Sequence, residues 1–284
     1  MKYIDLHTHT FYSDGLYTPT ILVQSLALNG IDVISKTDHD TLEGWEETEK
    51  EADRWGIIAV PGVELSTTNY HILGYSFTVE DYRFKDFKKF VDGSRELQRE
   101  NCRRRVDILA RHGLPITFEK VQARFPKSRL GKMNVFMTLL TDEECREYLR
   151  EHHKDAPPEK IKALYLGKGG NIDRDYSPVD LSPEEVIDAI HSAGGLAILA
   201  HPGRDIKKME ELDVLRGQGI DGLEISLNFY ESYPPYEEYA KEHGLLITYG
   251  SDYHDATMNR PFLGRGRNIL SPELEVRLLY GFRG

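Results

Sequence analysis

A chain of 284 residues, 39% hydrophobic and 29% charged, has the composition of a globular protein and is long enough to bury a large core. Its net charge of −11 argues against general binding to nucleic acid or to a membrane surface. The two cysteines, Cys102 and Cys145, show neither a metal-ligand spacing nor a disulfide framework, which points to a reducing, cytoplasmic setting. The chain opens into a strand at Met1-Lys2-Tyr3-Ile4 without a signal-peptide pattern, and no apolar stretch is long enough to span a bilayer.

In chain order, Tyr3-Ile4-Asp5-Leu6 reads as a first strand ending in His7-Thr8-His9, with Asp14 in a Ser-Asp-Gly turn. An amphipathic helix carrying Leu22 and Leu26 stops at Asn29-Gly30. The next strand starts at Ile31 and runs through Val33-Ile34 toward Thr37-Asp38-His39-Asp40. A helix beginning near Thr41 carries Trp45, Ala52 and Trp55, and Gly56 resets the chain. The run Ile57 to Val60 then leads to Gly62-Val63-Glu64, and His71 lies in a short strand with an aromatic flank. This strand–helix–strand rhythm implies parallel pairing. From about Phe84 to Gly113 the pattern is one long charged helix, followed to about Asp175 by short helices and by loops such as Gly167-Lys168-Gly169-Gly170. The alternation resumes at Ser182, a predicted N-cap with Pro183 at the first helical position and Glu185 closing a capping box. The Leu196 to Ala200 strand ends at His201. A strand from Ile220 to Leu227 contains Glu224, a helix runs from Tyr236 to His243, and the last barrel strand leads to Asp252 and His254.

Repeated apolar strands with imidazoles and carboxylates at their ends read as a β/α barrel with its site on the C-terminal face. A donor set without thiolates suits hydrolytic chemistry with Zn, Mn or Fe. A single His-x-His pair is weak evidence, because an ordinary strand accounts for it more often than a metal does. The census is more informative: His7, His9, His39, His71, His201 and His254, six of eleven histidines, flank strand-like runs. His112 and His243 precede helix-ending glycines, and His152, His153 and His191 sit in amphipathic helical stretches, so these five read as structural. Glu64 points into a His-rich site and reads as a bridge between two metals. Asp5, Asp38 and Asp40 lie beside ligand candidates, either orienting imidazoles or capping turns.

These motifs resemble those of the PHP (polymerase and histidinol phosphatase) family, related to the amidohydrolases: His7-Thr8-His9, Thr37-Asp38-His39, Glu64 with the later His201, and Asp252-Tyr253-His254. The resemblance implies an α/β fold, a distorted (β/α)7 barrel formed by residues 1–84 and 176–284, with a helical insert over 85–175 serving as lid. It further implies two or three divalent ions; with every expected ligand type present, three are expected, and the nitrogen and oxygen donor set accepts manganese, the first choice, as well as iron or zinc. His7, His9, Glu64 and Asp252 would hold one; Glu64, His71 and His201 a second; Asp14, His39 and His254 a third. The resemblance is greatest to stand-alone phosphoesterases acting on nucleoside 3′,5′-bisphosphates, short oligonucleotides or cyclic phosphates. Gly131-Lys132-Met133-Asn134 departs from a Gly-Arg-Pro-His segment common among them.

The expected reaction is hydrolysis of a small phosphorylated substrate by a hydroxide held between two metals, with Glu64, Asp252 and His201 as the catalytic groups. Arg204 is the first candidate for the phosphate clamp, because guanidinium binds phosphate bidentately. Lys132, Arg129 and Asn134 of the insert are further substrate-binding candidates. The Arg103-Arg104-Arg105 run faces several sides of a helix and reads as solvated. Long nucleic acid and membranes are not expected partners. The alternatives are a histidinol-phosphate-type phosphatase, an amidohydrolase-type C–N or C–O hydrolase, and a non-catalytic metal-binding regulatory module.

Overall fold

The computed structural model describes residues 1–78, 82–154, 156–167, 178–226, 234–255 and 268–280. Two compact units emerge, Met1–Ser94 with Leu181–Gly284, and Arg95–Asp180. Among the described residues no helix is long and apolar enough to cross a membrane.

The first unit is mixed α/β. Its elements are β1 (Ile4–Thr8), α1 (Pro19–Leu28), β2 (Val33–Lys36), α2 (Trp45–Trp55), β3 (Ile58–Ala59), β4 (Gly62–Ser66) and β5 (His71–Tyr75). After the start of α3 (Tyr82–Arg111), the unit resumes with α8 (Pro183–Ser192), β6 (Leu196–Leu199), α9 (Pro202–Asp205), α10 (Glu210–Gly217), β7 (Gly222–Ser226), α11 (Pro234–Glu242), β8 (Leu246–Gly250) and α12 (Pro272–Tyr280). Helix starts follow local chemistry. Thr18 caps α1 by accepting the Ile21 N–H, and Ser182 caps α8 by accepting the Glu185 N–H, while the Glu185 carboxylate accepts back from Ser182. Helix α2 starts at Trp45 rather than near Thr41, because Gly44 takes a left-handed conformation there (φ 82°).

The strands form two sheets, ordered β1-β2-β3 and β4-β5-β6-β7-β8. Isolated parallel bridges join Thr8 to Tyr253, just past β8, and His39, just past β2, to Glu64 in β4. Pairing is parallel except that β5 runs antiparallel to both β4 and β6. The expected all-parallel rhythm fails there because only four residues, Thr67 to Tyr70, join β4 to β5, too few for a crossover helix. This reversal puts His71, the first residue of β5, opposite Ser66 at the C-terminal end of β4.

Alternation divides β5 and β6 between two cores. Val63, Leu65, Ile72, Ala197, Leu199 and Leu223 pack with Val186, Ile187 and Ile190 of α8 and Leu212 and Leu215 of α10. Their sequence neighbours Leu73, Tyr75, Leu196 and Ile198 turn to the opposite face, where Ile4, Leu6, Val33 and Leu246 join them. Glu64 lies between Val63 and Leu65 and so shares that second face. In β1 the register shifts between Asp5 and Thr8. Irregularities of this kind re-aim side chains, and here Leu6 stays in the apolar cluster while His7 joins the polar site.

The second unit is helical: the end of α3, α4 (Phe118–Arg124), α5 (Lys132–Thr141), α6 (Glu143–His153) and α7 (Pro158–Leu166). It has its own core, built on Val106, Leu109, Ile116, Val121, Val135, Leu139 and Ile161. Cys102 and Cys145 are buried and unpaired there. The stretch Lys168 to Asn171 lies outside the described residues.

Two glycines allow a test of the packing. A Cβ on Gly62 would come within 2.2 Å of Ser35 Oγ and 3.1 Å of the Tyr75 ring, whereas one on Gly93, exposed in α3, meets nothing within 4 Å. Gly62→Ala is expected to destabilise by about 1–3 kcal/mol through overpacking. Gly93→Ala is expected to stabilise by about 0.5–1 kcal/mol through helix propensity. Urea denaturation checks both; equal effects would contradict the packing described.

Candidate metal centre

The polar ends of the strands converge on Glu64, which is wholly buried. Its Oε1 lies 2.8 Å from His71 Nδ1 and 2.9 Å from His201 Nε2. Its Oε2 lies 2.9 Å from His39 Nδ1 and 3.2 Å from both His7 Nε2 and His9 Nε2. Five imidazoles thus approach one carboxylate, two on one oxygen and three on the other. The two imidazoles of the His-x-His pair aim at one point, with their Nε2 atoms 3.1 Å apart. Asp252 Oδ1 sits 3.2 Å from His9 Nε2 and 3.5 Å from His7 Nε2. On the other side of His9, Asp14 Oδ1 is 3.2 Å from His254 Nε2 and 3.8 Å from His39 Nε2.

Ligand-type atoms gather within 4.8 Å of one another in three groups: His7, His9, Glu64 and Asp252; His9, Asp14, His39 and His254; and His39, Glu64 and His71. All nine predicted ligand residues therefore come together, His201 through Glu64 Oε1. Three memberships differ from expectation, the first being that His201 is not in the group of Glu64 and His71. His9 also joins the Asp14 group, and His39 stands beside Glu64 and His71. Of the five histidines read as structural, His191 pairs with Asp221 at 2.8 Å, His153 meets the Tyr165 hydroxyl, and His243 lies 3.1 Å from Arg216.

Backbone strain marks the same place. His201 and Asp252, neither of them glycine, have φ of 28° and 52°, and Asp40 has 48°. Such conformations persist where the surroundings over-determine them. Asp5, Asp38 and Asp40 supply part of that constraint by bonding backbone and hydroxyls rather than imidazoles. Asp5 accepts from the Ser251 N–H and Oγ, beside Asp252. Asp38 accepts from the Thr10 N–H, from Ser13 Oγ and from the buried Lys36 ammonium. Asp40 accepts from Ser66 and from Ser94.

Two carboxylates that do hold imidazoles escaped the sequence reading. Glu224 Oε1 lies 2.8 Å from His7 Nδ1, and Asp205 Oδ2 lies 3.1 Å from His201 Nδ1. A glutamate inside the apolar strand Gly222-Leu223-Glu224-Ile225 was the available signal for the first. Asp205, four residues after His201, carried none beyond proximity. Asp205 also receives two bonds from the Arg204 guanidinium, which reaches within 3.3 Å of His71 Nδ1. Arg204 therefore stands at the edge of the cluster. In the helical unit, Asn134 is buried with its Oδ1 accepting from the Gly131 N–H and Ser128 Oγ, so its side chain caps α5. Arg129 is buried with its guanidinium against Gly131, and Lys132 is exposed at the start of α5.

The electrostatics follow from this crowding of buried carboxylates and imidazoles. Burial alone would raise the Glu64 carboxyl, but the His39, His7 and His71 imidazoles outweigh it and hold the group well below the usual range. Asp14 behaves alike, with His254 and His39 overcoming burial. Burial would lower His7, yet Glu224, Glu64 and Asp252 outweigh it and hold the imidazole well above its ordinary value. Asp205 is held at about 2, because its bonds to His201 and Arg204 overcome burial. Asp5 is pushed up to about 6 by burial. Glu64 Oε2, Asp14 Oδ1 and His201 Nδ1 are buried atoms that no well-aligned hydrogen bond satisfies. Buried carboxylates and imidazoles aimed at shared points, with such atoms among them, fit divalent cations with nitrogen and oxygen donors.

The PHP domain family matches residues 5–164, more than half of the chain and including every ligand candidate from His7 to His71. The chain belongs to the PHP family. This PHP chain is 28% identical over 267 residues to a 5′-3′ exoribonuclease of Haemophilus influenzae, covering 89% of this chain and 90% of that one. It is 28% identical over 295 residues to a 3′,5′-nucleoside bisphosphate phosphatase of Chromobacterium violaceum, covering 98% and 99%. A solved structure from Bifidobacterium adolescentis, provisionally assigned as a metal-dependent phosphoesterase, superposes with a TM-score of 0.77 at 25% identity, covering 100% of this chain and 97% of that one.

The charge pattern predicts how the metal-free PHP chain responds to pH. His7 and His201 are raised above 6.5, so their stabilising contribution is complete below 6.5 and is lost as pH rises through their higher folded values. Glu64 is lowered below 4.5, so its contribution is present above 4.5 and is lost as pH falls through its depressed folded value. Chelated protein should therefore melt highest between those limits and lose stability above pH 6.5. Divalent metal takes the place of the protons and should remove the alkaline loss. Calorimetry from about pH 5 to 9, with and without chelator, checks this; parallel curves would contradict it.

Proposed function

We propose that this chain, a metal-dependent phosphoesterase of the PHP family, hydrolyses a small phosphorylated molecule at the cluster centred on Glu64. The candidates are a nucleoside bisphosphate, a short oligonucleotide and a cyclic sugar phosphate. The observation that carries the reading is the single buried carboxylate approached by five imidazoles, with His71 and His201 on one oxygen and His7, His9 and His39 on the other.

On this reading three divalent ions bind, with manganese favoured over iron and zinc. His7, His9, Glu64 and Asp252 hold one, Glu64, His71 and His201 a second, and Asp14, His39 and His254 a third. When bound, such ions supply Lewis acidity toward phosphoryl oxygens and a water acidic enough to act as nucleophile at neutral pH. The strands supporting them form a distorted seven-stranded barrel. Its two seams are the Thr8–Tyr253 and His39–Glu64 bridges, and β3 and β4 act as one kinked strand broken at Pro61.

The chain's own residues do the rest. Glu64 holds the two sides of the site in register. Arg204, aligned by Asp205, offers its guanidinium beside His71 to a terminal phosphate. Between the two candidates for the leaving-group proton, His201 has its Nε2 bonded to Glu64 and its Nδ1 turned toward Asp205 at 3.1 Å, so neither nitrogen faces a substrate, which favours Asp252. The net charge of −11 disfavours long nucleic acid, and the two buried free cysteines agree with a cytoplasmic setting. Relatives named as a bisphosphate phosphatase and an exoribonuclease support the choice of nucleotide-like substrates.

Phosphate release should be abolished by chelation, restored by Mn²⁺, and reduced about 10²–10³-fold or more in Glu64→Gln. A panel of nucleoside 3′,5′-bisphosphate, cyclic sugar phosphate, short single-stranded oligonucleotide, histidinol phosphate and an amide checks the class. Preference for histidinol phosphate or the amide, or near-normal turnover in Glu64→Gln, would contradict the reading.

A further inference from the structure

We propose that Glu224 is a positioning residue for the metal centre, fixing the His7 ring and the His201 backbone together so that β1 and β6 present their ligands to one place. The inference rests on the metal-binding reading above.

Glu224 is wholly buried in the middle of β7. Its two oxygens have different partners: Oε1 lies 2.8 Å from His7 Nδ1, and Oε2 accepts the His201 backbone N–H at 2.8 Å. It belongs to none of the three groups of convergent ligand atoms. A carboxylate in an apolar strand is costly unless its bonds are made. Both of its bonds go to predicted ligands that lie 194 positions apart in the chain, as their numbers 7 and 201 show.

Neighbouring structure makes room for this arrangement. A Cβ on Gly250 of β8 would lie 2.2 Å from His7 Cβ and 2.4 Å from Glu224 Oε1. Gly250 is not among the residues of positive φ, so space rather than backbone conformation requires glycine there. Without a side chain at that position, the carboxylate and the imidazole can meet.

Each bond has a chemical consequence. With Nδ1–H donated to Glu224, the His7 lone pair is on Nε2, the atom that faces Glu64 at 3.2 Å and His9 Nε2 at 3.1 Å. The second bond pins His201 in its left-handed turn (φ 28°) and satisfies a buried N–H there. Glutamine cannot do both. It has one acceptor oxygen, and if that serves the His201 N–H, its NH₂ faces His7 Nδ1. The ring must then accept at Nδ1 and carry its proton on Nε2, where the ligand lone pair is needed.

The test is equilibrium Zn²⁺ binding to the full-length, metal-free protein by chelator competition, for wild type and Glu224→Gln, with melting of the metal-free proteins read alongside. Glu224→Gln should bind Zn²⁺ about 10- to 100-fold more weakly, while the metal-free variant, though melting lower than wild type, still unfolds cooperatively. In ¹⁵N-histidine-labelled, Zn²⁺-loaded protein, the His7 Nδ1–H resonance should be present in wild type and lost in the variant. Unchanged affinity, or persistence of that resonance in Glu224→Gln, overturns the proposal. Failure of wild type to bind Zn²⁺ would instead overturn the metal reading. If Glu224→Gln does not fold, Glu224→Asp, which withdraws the carboxylate by one methylene, carries the test: weaker binding supports positioning and unchanged binding overturns it.

Discussion

The structure depends on one constraint: a wholly buried Glu64 carboxylate must be surrounded by enough positive charge to stay ionised. Isolated, such a group would be neutralised or would unfold its surroundings. Here five imidazoles reach it from four segments of chain: β1 and the residue after it, the end of β2, the start of β5 and the end of β6. The demand for compensation therefore ties together distant parts of the sequence. The reversal of β5, the slip in β1 and the left-handed His201 and Asp252 are all local departures that deliver a side chain to this point.

Beneath the polar cluster lies an apolar one. Ile4, Leu6, Val33, Leu73, Tyr75, Leu196 and Ile198 fill the same face of the strands that carries Glu64 further along. Tyr75 sends its hydroxyl to the Leu6 carbonyl at 2.7 Å, bonding to a backbone group of β1 from within that packing. The apolar cluster gives the ligands a rigid base, and the second tier of Asp5, Asp38, Asp40, Asp205 and Glu224 restricts how the segments above it can turn. A site held this way needs little reorganisation when charge develops in a reaction.

The residues that gather around Glu64 were legible in the sequence because an imidazole or carboxylate at the end of an apolar run has few uses in a core. The six strand-flanking histidines and the five others separate cleanly in space for that reason. The capping box at Ser182 was legible because it is local. What the sequence concealed depends on long-range geometry. The antiparallel course of β5 follows from a four-residue connection that reads equally well as a loop. Glu224 looks like an incidental acid in a strand until His7 is placed over Gly250. Asp205 becomes meaningful only when the helical turn of α9 brings it under His201. Asn134 reads as a substrate group because it stands where the related Gly-Arg-Pro-His segment has its histidine, and its capping of Gly131 is visible only in three dimensions.

The most direct measurement of the central claim is anomalous X-ray diffraction from crystals loaded with Mn²⁺, with data on both sides of the manganese edge. At least two anomalous peaks sharing Glu64 are expected, one beside His7, His9 and Asp252 and one beside His71 and His201, at ligand distances of about 2.0–2.3 Å. A map from active protein with no peak at Glu64, or with metal bound only away from it, would contradict a metal centre built on this carboxylate.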